Sequence, residues 1–522
     1  FDTLIRNTLS LAEETPLLIS IEDVHWIDPT TLELLNRVAE AVKGHRVMIL
    51  LTSRPGYADE FRELPGVRTL EVERLPDIYA QQLLDQVRGE TRLPEDILEE
   101  IVQRTEGIPL YIEELSKSLI EGMSDDATFF DGHAPGKMVL PSTLQESLFS
   151  RLDRLPEASK NIAQIAAVIG RDFSFDLLEK VAAYQDRNLF KVLTPLLQAQ
   201  MVFQRKSPPN AEFSFKHALF RDAAYEAILK SDLVKIHKRI GEVIEESYPE
   251  VARNNPGLLA QHFTEGQECA RAVHYWLMAG KKAARQFALI EARSHLSRGL
   301  QCLDSQDEEL QKNTLRLDFL ITLGPVLLAL EGSGSEIARN HYRDAVALCA
   351  EMPESVEQFT ALWGQWLVTK DSQDDHGLVW ADKLLDLSEK LRDSELNLQA
   401  HHCHWVTYFH LGNFAQAHAH IHKGLELYDY ECHGENAANY GGHDARVCGD
   451  GFLAHILWFQ GNDDDALEKA EECYNWARTI EHQASLLHAL ELNTLLHQFR
   501  RDEAQIRRYY EEFQAICDEM DL

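Results

Sequence analysis

The sequence lacks several features that would assign it to common classes of protein. Its eight cysteines are scattered and include no Cys-x-x-Cys pair, which argues against a disulfide scaffold or a zinc ribbon and favours the reducing cytoplasm. No apolar run reaches the roughly 18 residues that span a bilayer. Lys and Arg number 51 against 85 Asp and Glu, a formal net charge of −34. We therefore expect neither a nucleic-acid partner nor a membrane.

The remaining composition is that of an ordinary globular protein, with 44% hydrophobic and 26% charged residues. A length of 522 residues predicts about three or four domains. The sequence begins at Phe1 on a short amphipathic segment, without an initiator Met or a signal peptide. We therefore expect it to be a piece of a longer polypeptide.

Residues 1–75 alternate between strand and helix patterns. The apolar runs Leu17–Ile21 and Val47–Leu51 predict buried parallel strands, and Val67–Val72 predicts a third strand. Asp28, which is followed by proline, predicts the start of a helix between the first two strands. We expect an α/β domain whose ligands bind at the strand ends.

Three further segments follow before the repeats. Residues 76–123 have helical patterns, and residues 124–140 form a polar linker that contains Gly and Pro. Residues 141–232 combine helices with two short strands, Met201–Arg205 and Glu212–Phe215. Helices followed by a small hairpin predict a winged-helix domain.

Residues 233–522 predict a tetratricopeptide-like helical solenoid. Gly412 and Gly461 each lie in a short polar turn between two helical patterns. They are 49 residues apart, which is longer than the usual 34-residue repeat. We therefore expect an insertion between them, placed within Glu435–Gly451.

The strongest candidate for chemistry is the acidic pair Glu22 and Asp23 at the end of the first predicted strand. Such a pattern is typical of a Walker B strand, and Ser20 is its one departure. The acids of a Walker B strand hold Mg²⁺ on a nucleoside triphosphate, and one of them can activate the attacking water. On its own, such a pair is more often explained by solubility or helix capping.

The longer string Glu22–Leu35 closely resembles the Walker B region of the STAND class of AAA+-like signalling ATPases. The closest subset is the ATPase module found in bacterial signalling proteins with class III nucleotidyl cyclases or kinases. Further motifs agree in order. Leu50–Pro55 resembles the sensor strand of that family, and Glu106–Leu110 resembles its G-x-P lid motif. Leu140–Leu155 and Phe213–Tyr225 resemble the two ends of its winged helix.

The resemblance implies that residues 1–75 are the C-terminal half of a P-loop NTPase core and that residues 76–123 are its helical lid. It implies ATP and Mg²⁺ as cofactors at the end of the first strand. It implies that Glu22 is the Mg²⁺-linked acid and that Asp23 orients the attacking water, although spacing does not assign the two roles. Thr52 and Arg54 on the sensor strand are implied nucleotide contacts. Arg54 would approach the γ-phosphate, and the alternative is a surface ion pair.

Two further nucleotide contacts are implied, and each has a plainer structural explanation. Pro109 would pack near adenine, although Pro at a helix start needs no ligand. His217 follows a predicted wing strand and would contact an ADP phosphate. A partly exposed His that caps a helix is the plainer interpretation.

One motif of the family is missing, because the sequence contains no G-x-x-x-x-G-K-[ST] phosphate loop. Family order places that loop before Walker B, and hence upstream of Phe1. Gly132–Met138 imitates the loop with short spacing and is interpreted as linker. Without the phosphate-binding amides and Lys, we expect this chain to bind nucleotide weakly or not at all. ATPase activity is therefore assigned to the longer polypeptide, and whether this chain is an enzyme stays open.

We therefore predict a fragment of a multidomain signal-transduction ATPase. Nucleotide would regulate an output domain upstream in the same polypeptide, and the repeats would bind a protein or small-ligand signal. This scheme is compatible with oligomers that form in a nucleotide-dependent way. One alternative is a non-catalytic repeat scaffold for protein–protein interaction. Another is a STAND-type transcriptional regulator, which is disfavoured because Phe190–Gln198 contains only Lys191 as a cation.

Histidines are concentrated in residues 401–443, which contain nine of the 23 in the chain. His418 and His422 share a predicted helix face, a spacing that can bind zinc. No Glu or Cys completes that face, so we expect a solvated repeat surface. Asp463–Asp465 is likewise interpreted as a repeat turn and not as a calcium loop.

Overall fold

The computed structural model describes most of the chain in two compact units, Phe1–Met278 and Ala279–Leu522. The predicted linker lies outside the described residues except for residue 124, and so does Gly132–Met138. The described residues are 1–54, 66–89, 91, 93–124, 143–183, 189–207, 210–305, 309–332, 334–350, 352–370, 376–433 and 440–520.

The first unit begins with a small α/β layer. Helix α1 (Asp2–Glu14) precedes strand β1 (Leu17–Ile21), and helix α2 (Pro29–Ala41) precedes strand β2 (Val47–Leu51). The two strands pair in parallel over all five residues, as predicted. The prediction that they are buried is wrong, because one face is open and Leu18 and Met48 are 61% and 62% exposed. Asp28 caps α2, because its side chain accepts a hydrogen bond from a backbone N–H in the first turn.

The predicted third strand at Val67–Val72 is wrong. The structure describes these residues and assigns them to no strand. Leu70 and Val72 are 86% and 90% exposed. The alternation of apolar and polar residues matches a strand pattern, but β1 and β2 pair only with each other among the described strands. A segment without a neighbouring strand and a buried face does not form a stable strand.

Three helices follow, as the helical patterns of residues 76–123 predict: α3 (Asp77–Arg88), α4 (Glu95–Thr105) and α5 (Pro109–Ser124). Apolar residues at helical spacing on all three face inward. They form one small core, whose most deeply buried members are Leu84, Ile101, Ile112, Leu115 and Leu119.

Residues 143–226 surround a three-stranded antiparallel sheet with helices. The strands β3 (Asp172–Ser174), β4 (Val202–Lys206) and β5 (Glu212–Phe215) lie in the order β3-β5-β4. The two predicted strands are therefore present, and the short β3 was not predicted. The helices are α6 (Leu144–Asp153), α7 (Glu157–Ile169), α8 (Phe175–Ala182), α9 (Leu189–Gln198) and α10 (Ala218–Glu226).

Beyond residue 226 every described element is a helix. The first unit adds α11 (Lys230–Ser247), α12 (Pro249–Asn254) and α13 (Pro256–Glu265), and the boundary between the units falls within α14 (Cys269–Arg285). The second unit contains α15 (Leu289–Asp304), α16 (Glu309–Glu331), α17 (Glu336–Cys349), α18 (Val356–Thr369), α19 (His376–Leu391), α20 (Ser394–His410), α21 (Phe414–Leu427), α22 (Tyr430–His433), α23 (Ala445–Phe459), α24 (Asp463–Thr479), α25 (Gln483–Arg500) and α26 (Glu503–Met520).

The second unit is a tetratricopeptide-like stack of helix pairs. Gly412 lies in the turn between α20 and α21, and Gly461 lies in the turn between α23 and α24. Both have positive φ, 74° and 82°, which glycine adopts without a steric penalty. Each of these helices packs against its pair partner, and α23 also packs against α20 and α21. Consecutive pairs thus share one apolar core, as expected for a solenoid.

The insertion is shorter than predicted. Residues 445–451 were placed in it, but they form the first turns of α23. Asp444 caps this helix through hydrogen bonds from the backbone N–H groups of Arg446 and Val447, each 3.1 Å. The Gly-rich composition misled the prediction, because Gly449 and Gly451 fit against leucine side chains inside the helix packing.

One helix is apolar enough to cross a membrane by length and composition. Lys312–Glu331, within α16, has a mean hydropathy of 1.4. Helix α16 packs against α15, α17 and α18. Its residues Leu317, Phe319 and Val326 are almost fully buried there. Packing within the repeat stack buries 33% of this apolar stretch.

Candidate functional site

The two acids of the predicted Walker B strand lie at the carboxyl end of β1. Glu22 and Asp23 are both exposed. The neighbouring strand ends beside them, because Ile21 pairs with Leu51 and Thr52 follows directly. The carboxyl edge of a parallel sheet is where α/β proteins bind ligands. The acids therefore have the placement that a nucleotide site requires.

Thr52 holds the backbone of Asp23 in an unusual conformation. Asp23 has φ 56° and ψ 46°, the left-handed region that few non-glycine residues adopt. Its N–H donates to Oγ1 of Thr52 at 3.0 Å, and the Val24 N–H donates to the Thr52 carbonyl at 2.9 Å. The Thr52 N–H donates in turn to the Ile21 carbonyl at 3.1 Å. Thr52 thus positions Asp23 in this structure.

The carboxylates of Glu22 and Asp23 are not neutralised by any Lys or Arg that the structure describes. Among the described residues, neither Glu22 nor Asp23 forms an ion pair with Lys or Arg. The nearest titratable contact of Asp23 is Nδ1 of His25, 4.0 Å away. Carboxylate oxygens are preferred ligands of Mg²⁺. The donor set therefore suits a hard divalent cation.

Arg54 lies close to an exposed aromatic ring. Its guanidinium carbon is 6.0 Å from the ring centre of Trp26, which is 74% exposed. This is a weak cation–π contact. No ion pair of Arg54 is present in the described part of the chain, so the alternative of a surface ion pair is not observed.

The G-x-P motif has a structural role of its own. Gly107 has φ 72°, and a Cβ added there would lie 2.1 Å from the Leu75 carbonyl oxygen. The Leu75 N–H donates to the Gly107 carbonyl at 2.8 Å. Only glycine permits this close approach. Pro109 follows as the exposed first residue of α5, where proline needs no ligand to explain it.

His217 occupies the N-cap position of α10, and its side chain makes no capping hydrogen bond. Burial and the adjacent charge of Lys216 lower the pKa of His217, while Glu114 and Glu113 of α5 oppose the shift. Lys216 also lies 3.9 Å from Glu113. This ion pair connects the loop that contains His217 to the helix that begins at Pro109.

The predicted nucleotide contacts form two separate groups. Asp23 and Thr52 meet at the β1–β2 edge, with Arg54 beside Trp26. His217 lies in the β5–α10 loop, which the Lys216–Glu113 ion pair connects to α5, and Pro109 is the first residue of that helix. In the described part of the chain, no hydrogen bond, ion pair or ring contact joins one group to the other.

The expectation that the histidines of residues 401–443 form a solvated surface is wrong for three of them. His401, His402 and His404 are 7%, 2% and 2% exposed on α20. This helix packs against α19, α21 and α23, so nearly every face of it is covered. His418 and His422 are more exposed, and their ring centres lie 4.6 Å apart on α21.

A surface pocket of about 550 Å³ lies among α11, α12 and α14. Arg271 forms an ion pair with Glu245 at its rim, and the Tyr275 hydroxyl donates to the same carboxylate at 2.7 Å. The pocket is partly apolar and suits a small organic group. It is lined by Glu245, Pro249, Ala252, Arg253, Arg271, His274, Tyr275 and Met278.

Comparison with known sequences finds one relative and no family. No protein-family model matches the chain. An uncharacterized protein of Rhizobium meliloti (strain 1021) is 29% identical over 509 residues, which cover 96% of this chain and 48% of that protein. The chain thus spans about half the length of the curated relative it matches.

Three solved structures show partial similarity. A STAND protein with a tetratricopeptide repeat sensor from Pyrococcus horikoshii is 13% identical, with a TM-score of 0.36 over 100% of this chain and 78% of that chain. The apo form of RapI is 17% identical, with a TM-score of 0.39 over 48% and 85%. A Rap protein complexed with Competence and Sporulation Factor is 12% identical, with a TM-score of 0.35 over 72% and 99%. All three TM-scores are below 0.5, so the helical-repeat fold rests on this chain's own helix pairs.

Proposed function

We propose that this chain is the regulatory part of a multidomain signal-transduction ATPase of the STAND class. The observation that carries the proposal is the exposed acidic edge of β1, where Thr52 fixes the backbone of Asp23 and no Lys or Arg of the described residues neutralises the acids. The sequence motifs that resemble the family run in the same order as the elements described here.

The chemistry of the edge fits ATP and Mg²⁺. Glu22 would hold Mg²⁺ through water, and Asp23 would orient or deprotonate the attacking water, or the two acids would exchange these roles. Arg54 is free to leave its weak contact with Trp26 and approach a γ-phosphate. The phosphate loop would come from a segment upstream of Phe1 in a longer polypeptide. The relative from Rhizobium meliloti, about twice as long as the matched region, is compatible with such a segment.

Residues 76–123 would act as a lid and residues 141–232 as a winged helix. The ion pair between Glu113 of α5 and Lys216 beside His217 gives these two segments a contact that a nucleotide would strengthen or break. Such a switch requires that each ligand prefers one of two states. Adenine beside Pro109 and a phosphate beside His217 would supply that preference.

The helical repeats would receive the signal, as a protein or a small ligand, and would control an output domain upstream, cyclase-like or kinase-like. Nucleotide-dependent oligomers are compatible with this scheme. A cytoplasmic location fits the seven cysteines that the structure describes as free. No nucleic-acid partner is proposed, because α9 buries Leu189, Leu193 and Leu196 and has a single cation in Lys191.

The test is Mg²⁺-dependent ATP turnover by the longer polypeptide with Glu22→Gln or Asp23→Asn. We expect at least one substitution to lower the rate by about 10²- to 10⁴-fold, the usual contribution of a positioned acid or base. Glu99→Gln, at an exposed position of α4, is the matched control and should leave the rate unchanged. Unchanged turnover in both acid variants would remove these residues from the mechanism and favour a repeat scaffold.

A further inference from the structure

A compact group of potential metal ligands lies inside the second unit. Ligand atoms of His402, His443 and Cys448 all lie within 4.8 Å of one another. His402 belongs to α20, Cys448 belongs to α23, and His443 lies in the turn before α23. Nε2 of His402 is 3.3 Å from Sγ of Cys448. The same two atoms would be about 3.5 Å apart in a tetrahedral zinc site, given its bond lengths and angles.

The outer nitrogens of both histidines are already oriented by oxygen acceptors. Nδ1 of His402 is 3.2 Å from Oε1 of Gln399, and Nδ1 of His443 is 2.9 Å from the Gly441 carbonyl oxygen. An oxygen acceptor at Nδ1 places the proton there and leaves the lone pair on Nε2. Metal-binding histidines in proteins are held in this way.

One of the inner nitrogens has no partner. Nε2 of His443 is buried and makes no hydrogen bond within the described part of the chain. Buried polar atoms are satisfied in the great majority of native structures, so an orphan atom indicates an absent ion or water.

We propose that His402, His443 and Cys448 bind one Zn²⁺ ion, with a water molecule in the fourth position. Imidazole and thiolate together favour zinc over the hard cations Mg²⁺ and Ca²⁺. On binding, Zn²⁺ forms a bond to the sulfur of Cys448, and the thiol proton leaves to solvent. Neither histidine needs to lose a proton.

The surrounding turn is shaped to present His443. Gly441 has φ 89°, and a Cβ added there would lie 3.0 Å from Cε1 of His443, so a larger residue would crowd the ring. On the other side, the ring of His488 stacks on His443 with centres 4.0 Å apart. An ion at this place would link α20 to α23 and so connect consecutive helix pairs. Its binding free energy would stabilise the repeat stack.

The experiment uses the full 522-residue chain without a polyhistidine tag, purified under reducing conditions. Metal analysis and competition with a chromophoric chelator measure the stoichiometry and affinity for Zn²⁺, and we expect one ion per chain. Co²⁺ in place of Zn²⁺ should give a thiolate-to-cobalt charge-transfer band, which reports Cys448 directly. Absence of a stoichiometric Zn²⁺ ion, or a cobalt spectrum without thiolate ligation, would overturn the proposal.

Variants separate this site from other histidines and cysteines. His443→Gln and Cys448→Ser should each weaken Zn²⁺ binding by at least about 100-fold, and Gln399→Ala should weaken it by about 10- to 100-fold. Cys349→Ser, at another buried cysteine, is the matched control. His443→Gln changes a partly buried turn residue and should keep the wild-type circular dichroism spectrum.

The exposed histidine pair of α21 is the competing binding site. The double variant His418→Gln, His422→Gln should bind Zn²⁺ as the wild type does. Loss of the ion in this double variant, together with wild-type affinity in His443→Gln, would assign the zinc to the protein surface and overturn the proposal.

Discussion

The β1–β2 edge and the His402–Cys448 group differ in how much of each site this chain supplies. At the edge, Glu22 and Asp23 are exposed, and the proposed nucleotide site would also need a phosphate loop that the sequence does not contain. Inside the repeats, the ligand atoms are held by neighbours that the chain itself provides. The comparison shows that water can satisfy an exposed polar group, whereas a buried polar atom without a partner, such as Nε2 of His443, calls for a ligand.

The substitution with the largest expected effect on stability breaks a buried ion pair. Arg151 forms an ion pair with Glu114, each side chain is 1% exposed, and Arg151 also donates to the Ala199 carbonyl at 2.8 Å. Arg151→Met removes the buried partner of the Glu114 carboxylate and leaves only Lys117, 3.8 Å away. We expect the free energy of unfolding to fall by about 3–5 kcal/mol, measured by urea denaturation.

The matched control for that substitution is Arg507→Met, because Arg507 forms an exposed ion pair with Glu503. We expect its effect to stay below about 1 kcal/mol. Equal effects of the two substitutions would contradict the distinction between buried and exposed polar groups.

A buried histidine pair makes stability depend on pH. Nδ1 of His237 and Nδ1 of His262 are 2.9 Å apart. Burial and the neighbouring His237 lower the pKa of His262 from 6.5 to about 4. The unfolded chain therefore binds the proton first as the pH falls. The contribution of the neutral His262 to the free energy of unfolding is fully present above pH 6.5. It is lost as the pH falls from 6.5 to about 4.

The part of the free energy of unfolding that His262 contributes should fall by about 3 kcal/mol over this range, since one pKa unit corresponds to about 1.4 kcal/mol. Urea denaturation at a series of pH values measures it. His262→Gln should flatten this part of the pH profile, because it removes the titrating group. The same slope in wild type and variant would rule out this histidine as the cause.

A substitution with a smaller expected effect on stability tests the close packing of the repeat helices. A Cβ added at Gly364 of α18 would lie 1.9 Å from the ring of Tyr342 on α17, so the two helices would have to separate. We expect Gly364→Ala to cost about 1–3 kcal/mol in thermal or urea unfolding. Gly334→Ala, where nothing lies within 4 Å, should not destabilise the chain. Retained stability in Gly364→Ala would show that these helices are not closely packed.

The substitution with the smallest expected effect on stability lies at the exposed β1–β2 edge. Thr52→Val removes the hydroxyl that accepts the hydrogen bond from the Asp23 N–H. We expect a loss of about 0.5–1.5 kcal/mol, the net contribution of one hydrogen bond. Thr52→Ser keeps the hydroxyl and should restore most of it. Hydrogen exchange at the Asp23 amide gives the local readout, and unchanged protection in Thr52→Val would contradict the positioning role.

The sequence predicts the parts of this fold that local interactions determine. The strands Leu17–Ile21 and Val47–Leu51 are apolar runs interrupted only by Ser20, and Asp28 before proline is a strong helix start. Gly412 and Gly461 mark turns that need positive φ. Each of these signals lies within a few residues, so its physical cause can be read without tertiary contacts.

Features that depend on tertiary contacts could not be predicted in this way. Val67–Val72 has a strand pattern without a strand beside it. His402 lies on a helix with neighbours on nearly every face, so no amphipathic pattern shows that it is buried. Cys448 is 46 residues from His402 and lies beyond the histidine-rich segment of residues 401–443. The signal in the sequence is the short spacing between His443 and Cys448, which are five residues apart.

The most direct measurement for the proposed switch is titration with Mg²⁺ and ATP of two proteins, this 522-residue chain and a longer polypeptide that includes a phosphate loop. The account predicts saturable ATP binding by the longer polypeptide and no comparable binding by this chain, since backbone amides and a Lys must cradle the phosphates. ATP binding of equal affinity by both proteins, unaffected by Asp23→Asn, would contradict it.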